Sequence, residues 1–475
     1  MQKTVVINVV GLTQSLIGNH TPFLAEWSSH KANGAAIHPV FPAVTCTAQA
    51  TYLTGKTPLE HGIVGNGWYF RDECEIKFWR QSNKLVQADK VWEAAKKADP
   101  SFTCANMCWW YNMYSSVDYA VTPRPQYLAD GRKLPDCYTH PASLRDTLQQ
   151  KLGTFPLFSY WGPKTSIKSS KWIANASILT DELYDPTLTL IYLPHLDYNL
   201  QRLGPGNPRI ATDLHEIDTV CAKLITYYES RGANIIVLSE YGISAVNQAV
   251  HLNRTLREHG LIALREERGL ELLDAGASEA FAVADHQVAH IYIKDKNREG
   301  EVKRLIEQVP GVGEVLAGSE RNKYSLGHER CGELVAVASK NAWFTYYYWL
   351  DDKKAPDFAR TVEIHKKPGY DPVEMFVDPK IKFLLPLVAA KLLKKKLGLR
   401  TLMDIIPLDA TLVRGSHGRI PEEKEEWPVF LSNKSELVPF TGIQATDVYD
   451  LILQHLGVKQ EQEVKSKHQA SPLIS

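Results

Sequence analysis

Short apolar runs that alternate with helix-like segments are the main pattern along the chain. Val5–Val10, Thr187–Leu193 and Asn234–Ser239 are such runs, and helix-like sequence precedes the later two. Runs of this length between helical segments predict buried strands in a mostly parallel sheet flanked by helices. Ligands of such sheets bind beyond the carboxyl ends of the strands, so we expect residues with chemical roles directly after these runs.

A different pattern begins near residue 255 and continues to residue 370. Strand-like and helical segments follow one another there in the order Ala280–Val283, His290–Ile293, Arg298–Gln308 (a charged helix) and Leu334–Ala338. This order predicts a small α+β insert within a larger α/β core. The predicted organisation is a core over 1–254 and 371–458, an insert or cap over 255–370, and a polar, disordered tail over 459–475.

Composition and charge place the chain among ordinary globular proteins. Of its 475 residues, 44% are hydrophobic and 23% are charged, with 54 basic and 54 acidic side chains. A net charge of zero gives no general attraction to nucleic acid, so we expect no nucleic-acid partner. The first residues run into a strand without a signal-peptide pattern, and no apolar run reaches the roughly 18 residues of a membrane span. A cytoplasmic location is therefore the expectation from the sequence.

One segment allows two interpretations. Lys380–Thr401 contains the apolar stretch Phe383–Leu397, which ends in a run of lysines. The favoured interpretation is a core helix whose basic end is solvated, because cations stabilise the C-terminus of a helix. The alternative is an amphipathic helix that contacts an anionic membrane surface between residues 380 and 401.

The most informative stretch lies between Phe41 and Asn66. It is typical of a loop that enters a short helix near Thr45 and then a Gly/Pro turn. A hydroxyl at a helix start lies where free N–H groups and the positive dipole end favour an anion such as phosphate. The strings Phe41-Pro42-Ala43-Val44-Thr45 and His61-Gly62-Ile63-Val64-Gly65-Asn66 resemble the nucleophile region of the type I phosphodiesterase/nucleotide pyrophosphatase family.

This resemblance implies an alkaline phosphatase-like α/β fold, because the family belongs to the alkaline phosphatase superfamily. It also implies that Thr45 attacks phosphorus and that Asn66 donates to a phosphate oxygen. The family holds two metal ions, and the resemblance assigns Asp197 and His417, in Gly415-Ser416-His417-Gly418, to the first of them.

The remaining ligand positions of the family are altered in this chain. Gln201 stands where the family has the histidine four residues after the aspartate, and Val10 replaces the aspartate of the first strand. Glu240 and Tyr241 replace an adjacent aspartate–histidine pair, and Glu240 is predicted to support a second, weaker metal ion or to orient water. Gln201 and Tyr241 are neutral hydrogen-bonding groups, so they are predicted to contact a phosphate or carboxylate of the substrate.

Other residues could replace the missing metal ligands. His195 lies two residues before Asp197, and in an extended chain both side chains would point the same way. His365 lies in a second loop that is rich in histidine and aspartate. Asp285, His286 and His290 could reach the site from the insert, although a structural role is the favoured interpretation for both histidines.

The sequence therefore predicts a metal-dependent phosphoester hydrolase that acts on a phosphodiester or a nucleotide pyrophosphate through a phosphothreonine at Thr45. One or two divalent ions, Zn²⁺, Mn²⁺ or Mg²⁺, would assist it. One alternative is a catalytically degenerate relative that binds a phosphorylated metabolite or a partner. Another is phosphoryl transfer to an acceptor alcohol.

Overall fold

The computed structural model describes residues 1–439 and 441–458, and the predicted tail 459–475 lies outside them. The first strands are β1 (Thr4–Val9), β2 (Asn33–His38), β3 (Gly67–Phe70), β4 (Glu75–Phe78), β5 (Cys104–Met107), β6 (Tyr119–Pro123), β7 (Gln126–Tyr127), β8 (Lys133–Leu134), β9 (Cys137–His140), β10 (Leu188–Leu193) and β11 (Asn234–Leu238). The others are β12 (Ser244–Ala245), β13 (Gln248–Val250), β14 (Ala263–Glu267), β15 (Leu270–Asp274), β16 (Ala280–Asp285), β17 (Val288–Ile293), β18 (Val312–Ala317), β19 (Leu334–Ala338), β20 (Ala342–Phe344), β21 (Gly415–Ser416), β22 (Val429–Ser432) and β23 (Ile443–Gln444).

The α-helices of the same residues lie between and around these strands. They are α1 (Pro22–His30), α2 (Thr45–Thr54), α3 (Pro58–His61), α4 (Val91–Ala98), α5 (Ser143–Leu152), α6 (Leu157–Tyr160), α7 (Lys168–Tyr184), α8 (His195–Leu203), α9 (Ile210–Ser230), α10 (Leu252–Glu258), α11 (Glu299–Glu307), α12 (Leu384–Lys396) and α13 (Asp447–His455).

The central sheet has nine strands in the order β23-β2-β22-β11-β1-β10-β5-β6-β9. Its middle is parallel from β11 through β1, β10 and β5 to β6, and antiparallel pairs flank this block on both sides. Every residue of β1, β10 and β11 is buried, and α7, α9 and α13 pack against the sheet. The predicted mostly parallel α/β sheet is therefore confirmed, and the ends of β1, β10 and β11 differ from those of the apolar runs by at most one residue.

The segment predicted as an insert contains a second sheet, with strand order β16-β17-β19-β18 and only antiparallel pairs. Helix α11 packs on β18, and the two share a small apolar core that includes Val302 and Ile306. Strand β18 was not predicted from the sequence. A register shift between Val312 and Glu314 interrupts the alternation of its side chains. The domain boundaries at 254 and 370 stay predictions.

The hairpin between β16 and β17 matters for the site. It turns at His286, whose φ of 61° lies in the left-handed region, and at Gln287. The main-chain N–H of Gln287 donates to the carbonyl of His417 at 2.9 Å. The end of this second sheet is thereby fixed against the loop that carries His417.

Helix α12 differs from the favoured interpretation of its sequence. None of its residues is buried, and Leu385 keeps 80% of its surface exposed. The apolar stretch Phe383–Leu397 therefore lies on the surface, and the core-helix prediction is wrong. In the part of the chain that the structure describes, none of the helices has both the length and the apolar character needed to span a bilayer.

Candidate active site

The Thr45 hydroxyl lies at the start of a helix that is buried along its whole length. Val44 is extended (φ −130°, ψ 156°), and α2 begins with Thr45. The first N–H groups of a helix have no partner within the helix, so this end attracts an anion. Thr45 Oγ1 lies 3.1 Å from Tyr241 Oη and is 4% exposed. The helix start thus presents a hydroxyl group in a closed, polar setting.

Asn66 is fixed beside the first turn of α2. Its Oδ1 accepts a hydrogen bond from the N–H of Cys46 at 3.0 Å. Its own main-chain N–H and Nδ2 donate to the two oxygens of Asp285 at 2.7 and 3.1 Å. The side chain of Asn66 is therefore held close to Thr45, as expected for a group that contacts the same phosphate.

Asp197 is the centre of a second set of contacts. Its Oδ1 accepts from Tyr241 Oη at 3.2 Å, and its Oδ2 accepts from Gln201 Nε2 at 2.7 Å. Asp197 and Gln201 lie one turn apart on α8, which puts them on one face of the helix. Tyr370 Oη donates to Gln201 Oε1 at 3.1 Å. Gln201 therefore presents its amide NH₂, not its oxygen, to Asp197.

His417 approaches the same carboxylate from the far end of the chain. Its Nδ1 donates to the carbonyl of Ala43 at 2.8 Å, which leaves the lone pair on Nε2. This Nε2 lies 3.9 Å from Asp197 Oδ1 and makes no hydrogen bond to any described residue. The imidazole ring stacks on the Tyr241 ring, with 3.6 Å between centroids and 7° between planes.

Glu240, which directly follows Ser239 after β11, is held by two amide groups. Asn8 Nδ2 donates to Glu240 Oε1 at 2.6 Å, and Gln49 Nε2 donates to the same oxygen at 2.5 Å. Glu240 Oε2 has no such donor among the described residues, although the Thr45 hydroxyl is close enough to lower the pKa of Glu240. The carboxylate therefore has one oxygen without a hydrogen-bond partner among the described residues, and the Thr45 hydroxyl is near the group.

Burial controls the electrostatics of the site. It raises the pKa of Asp197 to about 7, of Glu240 to about 8 and of Asp285 to about 6, against the lowering effect of their hydrogen-bond donors. It also lowers the pKa of His417 far below its usual value. Within residues 1–439 and 441–458, no lysine or arginine forms an ion pair with these three carboxyl groups. Near neutral pH the site must therefore hold protons or a cation before it can accept a phosphate.

The insert contributes Asp285 and His286, which the sequence interpretation had placed second to other candidates. His286 Nδ1 lies 2.8 Å from Asp285 Oδ1, and its ring stacks on Tyr370 at 3.6 Å between centroids. The same ring lies 3.8 Å from the ring of His417. An aspartate–histidine pair at a hairpin was the sequence signal for this contact. Asn8 and Gln49 gave no comparable signal, since amides are common in strands and helices.

Two predicted metal ligands lie elsewhere. His195 is the first residue of α8, so a helix replaces the extended conformation on which its prediction depended. Residues two apart on a helix differ by about 200° in direction, and His195 Nε2 lies 3.1 Å from Glu216 Oε2 on α9. His365 Nδ1 lies 3.3 Å from the carbonyl of Phe78. The contacts of these two histidines do not join them to Thr45, Asp197 or His417.

These donors fit one divalent ion better than two. The unpartnered Nε2 of His417 and the adjacent Asp197 Oδ1 are suitable ligands for a first ion, which a substrate oxygen or water would complete. A second ion would have only Thr45 and the free oxygen of Glu240. Val10 offers no ligand atom, and the amides of Asn8 and Gln49 already contact Glu240. The residues present therefore do not fit the second ion of the family.

The fold is that of the alkaline phosphatase-like proteins, as the resemblance of the Phe41–Asn66 stretch implied. Murine ectonucleotide pyrophosphatase/phosphodiesterase 5 superimposes with a TM-score of 0.57 at 17% identity, over 96% of both chains. Phosphonoacetate hydrolase from Sinorhizobium meliloti 1021, solved in complex with phosphonoformate, has a TM-score of 0.59 at 14% identity, over 96% of this chain and 95% of its own.

Sequence relationships define the class more narrowly. The type I phosphodiesterase/nucleotide pyrophosphatase family profile matches residues 4–371, and this chain belongs to that family. An uncharacterized pyrophosphatase/phosphodiesterase of Schizosaccharomyces pombe is 25% identical over 231 residues, which are 47% of this chain and 41% of that protein. Ectonucleotide pyrophosphatase/phosphodiesterase 2 of Saccharomyces cerevisiae is 24% identical over 265 residues, which are 51% and 48% of the two chains. The match thus spans less than half the length of these curated relatives.

Proposed function

We propose that this protein hydrolyses a phosphodiester or a nucleotide pyrophosphate, with a phosphothreonine at Thr45 as the intermediate. The observation that carries the proposal is the Thr45 hydroxyl at the first turn of α2, which lies 3.1 Å from Tyr241 Oη and near enough to the carboxylate of Glu240 to lower its pKa. A hydroxyl nucleophile requires a nearby group that accepts its proton. Family membership supports phosphoester hydrolysis as the type of reaction.

In the first step Thr45 Oγ1 attacks phosphorus, and the bond from phosphorus to the leaving oxygen breaks in line. Glu240 accepts the proton of the hydroxyl, since its Oε2 has no other partner among the described residues. Burial raises its pKa to about 8, so the carboxylate is a stronger base than an exposed glutamate. Glu240 then passes this proton to the leaving oxygen. In the second step the deprotonated Glu240 accepts a proton from the water that attacks the phosphothreonine, the bond from phosphorus to Thr45 Oγ1 breaks, and Thr45 Oγ1 takes the proton back from Glu240.

Two groups are proposed to stabilise the phosphate oxygens. Asn66 Nδ2 carries two N–H groups, of which Asp285 uses one, and the start of α2 adds main-chain N–H groups. Tyr241, donating to Asp197 at 3.2 Å, keeps its oxygen beside Thr45 and orients the nucleophile. These neutral donors replace part of the charge that a second ion supplies elsewhere in the family.

Asp197 and His417 are proposed to hold the one divalent ion that fits the site. Such an ion would supply positive charge for a phosphate oxygen. One carboxylate and one imidazole suit Zn²⁺ or Mn²⁺, whereas Mg²⁺ requires more oxygen ligands than these residues offer. Gln201 and Tyr241 are proposed to contact the substrate or its bound water rather than the ion.

The substrate is proposed to carry an aromatic group, such as a nucleobase, next to its phosphate. Trp79 and Trp110 are half-buried, and their ring centroids lie 4.9 Å apart. The main-chain N–H of Trp79 donates to the carbonyl of Asn66, and the main-chain N–H of Trp110 donates to Gln49 Oε1 at 2.6 Å. The main chain of both tryptophans is thus attached to residues that contact the nucleophile's helix and the base. An inactive variant of murine ectonucleotide pyrophosphatase/phosphodiesterase 5 was solved in complex with AMP, which agrees with such a substrate.

The test is turnover of an aryl phosphodiester by the wild-type chain. We expect release of the phenol in the presence of Mn²⁺ or Zn²⁺ and its loss after chelation. The absence of turnover with either ion, together with a rise in melting temperature on addition of AMP, would instead support a degenerate protein that only binds phosphates. That second candidate is favoured by one observation, the neutral groups that already satisfy Glu240 Oε1 and both oxygens of Asp197.

Gln201→His should increase metal affinity by about tenfold or more, because it completes a set of three ligands with Asp197 and His417. The measurement is the amount of Zn²⁺ that the purified protein retains after dialysis, with a competing chelator to rank affinities. Gln248→His, which adds an imidazole on β13, is the matched control and should retain no additional zinc. Equal zinc content in wild type and Gln201→His would show that Asp197 and His417 do not form an ion site.

A further inference from the structure

Helix α12 turns an apolar face toward solvent. Leu385 and Leu393 lie eight residues apart on α12, and Leu397, directly after the helix, lies four residues further on. These spacings put the three leucines on one side of the helix. They are 80, 59 and 70% exposed, and Leu392 on the same side is 53% exposed. Phe383, directly before the helix, is 75% exposed. A helix on a globular protein normally places such residues against the core, so this face requires another apolar environment.

Cations surround this apolar face, and among the described residues only Lys391 of them has an acidic partner, Asp404. Between residues 379 and 403 there is no aspartate or glutamate, and the basic residues are Lys380, Lys382, Lys391, Lys394, Lys395, Lys396 and Arg400. Burial lowers the pKa of Lys395, and the charges of Lys133 and Lys391 lower it further. The segment therefore carries a concentrated positive charge on a chain whose net charge is zero.

The segment is attached to the rest of the protein at a few defined points. Arg400 Nη2 donates to the carbonyl of Ala129 at 2.9 Å, and Lys391 Nζ donates to the carbonyl of Leu402 at 3.0 Å. Ala129 belongs to the β7–β8 hairpin, in which Tyr127 and Leu134 are also exposed. Hairpin and helix thus form one surface, called here the α12 surface, made of residues 126–134 and 380–402.

We propose that the α12 surface binds the face of an anionic phospholipid bilayer. Amphipathic helices with apolar side chains on one side and lysines around them lie in the plane of a bilayer, with the apolar side among the acyl chains. Lysines and arginines near such a surface interact with acidic headgroups. The combination of Leu385, Leu393 and Leu397 with seven basic residues meets both requirements. The proposal is independent of the function of Thr45.

Other occupants fit these observations less well. A second copy of the chain, docked about a two-fold axis, would bring two such basic clusters together, and in each of them only Lys391 pairs with an acidic residue among the described residues. A nucleic acid would pair with the cations but would leave the leucines in water. An anionic bilayer satisfies the charges and the apolar side chains together.

The experiment is sedimentation of the full chain with vesicles of phosphatidylcholine alone or mixed with phosphatidylserine. We expect binding to the mixed vesicles that weakens as salt rises, and little binding to phosphatidylcholine alone. The double variant L385E/L393E should lower the bound fraction about tenfold or more. The variant K394Q/K396Q should weaken binding and reduce its dependence on salt. The substituted side chains are exposed, so circular dichroism and melting temperature should match those of the wild type.

Matched controls remove the same kinds of side chain elsewhere. Leu183→Glu changes a leucine on α7 that is 46% exposed, and Lys31→Gln removes an exposed lysine. Neither should alter binding. No binding to mixed vesicles, or equal loss in the controls, would overturn the proposal. If vesicles do not bind, self-association that L385E/L393E abolishes would instead support a second copy of the chain as the occupant. Binding of a single-stranded DNA oligonucleotide without vesicle binding would instead support a nucleic acid.

Discussion

We expect Thr45→Ala to lower the turnover of an aryl phosphodiester by roughly 10⁴-fold or more, because loss of a nucleophile removes the covalent pathway. Thr45 is 4% exposed and starts a fully buried helix, so the missing methyl and hydroxyl change little of the protein surface. The measurement is kcat/KM with the divalent ion that best supports the wild type. Acid quenching during wild-type turnover, followed by peptide mass spectrometry, should detect phosphate on Thr45 and none in the variant.

Thr47→Ala is the matched control for this result. Thr47 lies on the same helix, is fully buried, and its hydroxyl has no hydrogen-bond partner among the described residues. The control should keep kcat/KM within about threefold of the wild type and a similar melting temperature. If Thr45→Ala and Thr47→Ala lose activity equally, or if Thr45→Ala retains full turnover, the assignment of the nucleophile is wrong.

Glu240→Gln is expected to lower kcat by about 10² to 10⁴-fold, the usual effect of removing a general base. The substitution preserves the shape of the side chain and its contacts to Asn8 and Gln49, but it removes the group that accepts the proton of Thr45. Since Glu240 is proposed to act in both steps, neither formation nor hydrolysis of the phosphothreonine should recover. Rapid-quench measurement of both steps tests this expectation directly.

Glu426→Gln is the charge-matched control for that experiment. Glu426 accepts a hydrogen bond from Ser244 Oγ at 2.6 Å and lies outside the contacts of Thr45. It should leave kcat nearly unchanged. A Glu240→Gln enzyme that retains full activity would remove Glu240 from the mechanism and leave Tyr241, at 3.1 Å from the nucleophile, as the next group to test.

The sequence was most informative about elements whose structure depends on neighbouring residues in the chain. Apolar runs identified β1, β10 and β11 because strands buried on both faces require apolar side chains at every position. The order of motifs along the chain also brought Thr45, Asn66, Asp197, Glu240, Tyr241 and His417 into one hypothesis, and contacts link these residues in the structure. Their roles stay predictions.

Side-chain direction was harder to predict. In an extended chain the ring of His195 would point to the same side as Asp197. Because α8 begins at His195, the ring instead lies beside Glu216 on α9. Asp285 and His286 reach the site from residues more than 200 positions after Thr45, through a hairpin whose docking no local pattern encodes. The apolar character of Phe383–Leu397 likewise does not reveal whether its leucines face a core or solvent.

The loops around Ala43 and His417 hold each other by two hydrogen bonds. Ala43 N–H donates to the carbonyl of Gly418 at 2.8 Å, and His417 Nδ1 donates to the carbonyl of Ala43. The family profile matches only as far as residue 371, whereas these two hydrogen bonds involve residues 417 and 418. During synthesis, Thr45 therefore cannot acquire its final surroundings until residues 417 and 418 have left the ribosome, and products truncated before them remain without an assembled nucleophile.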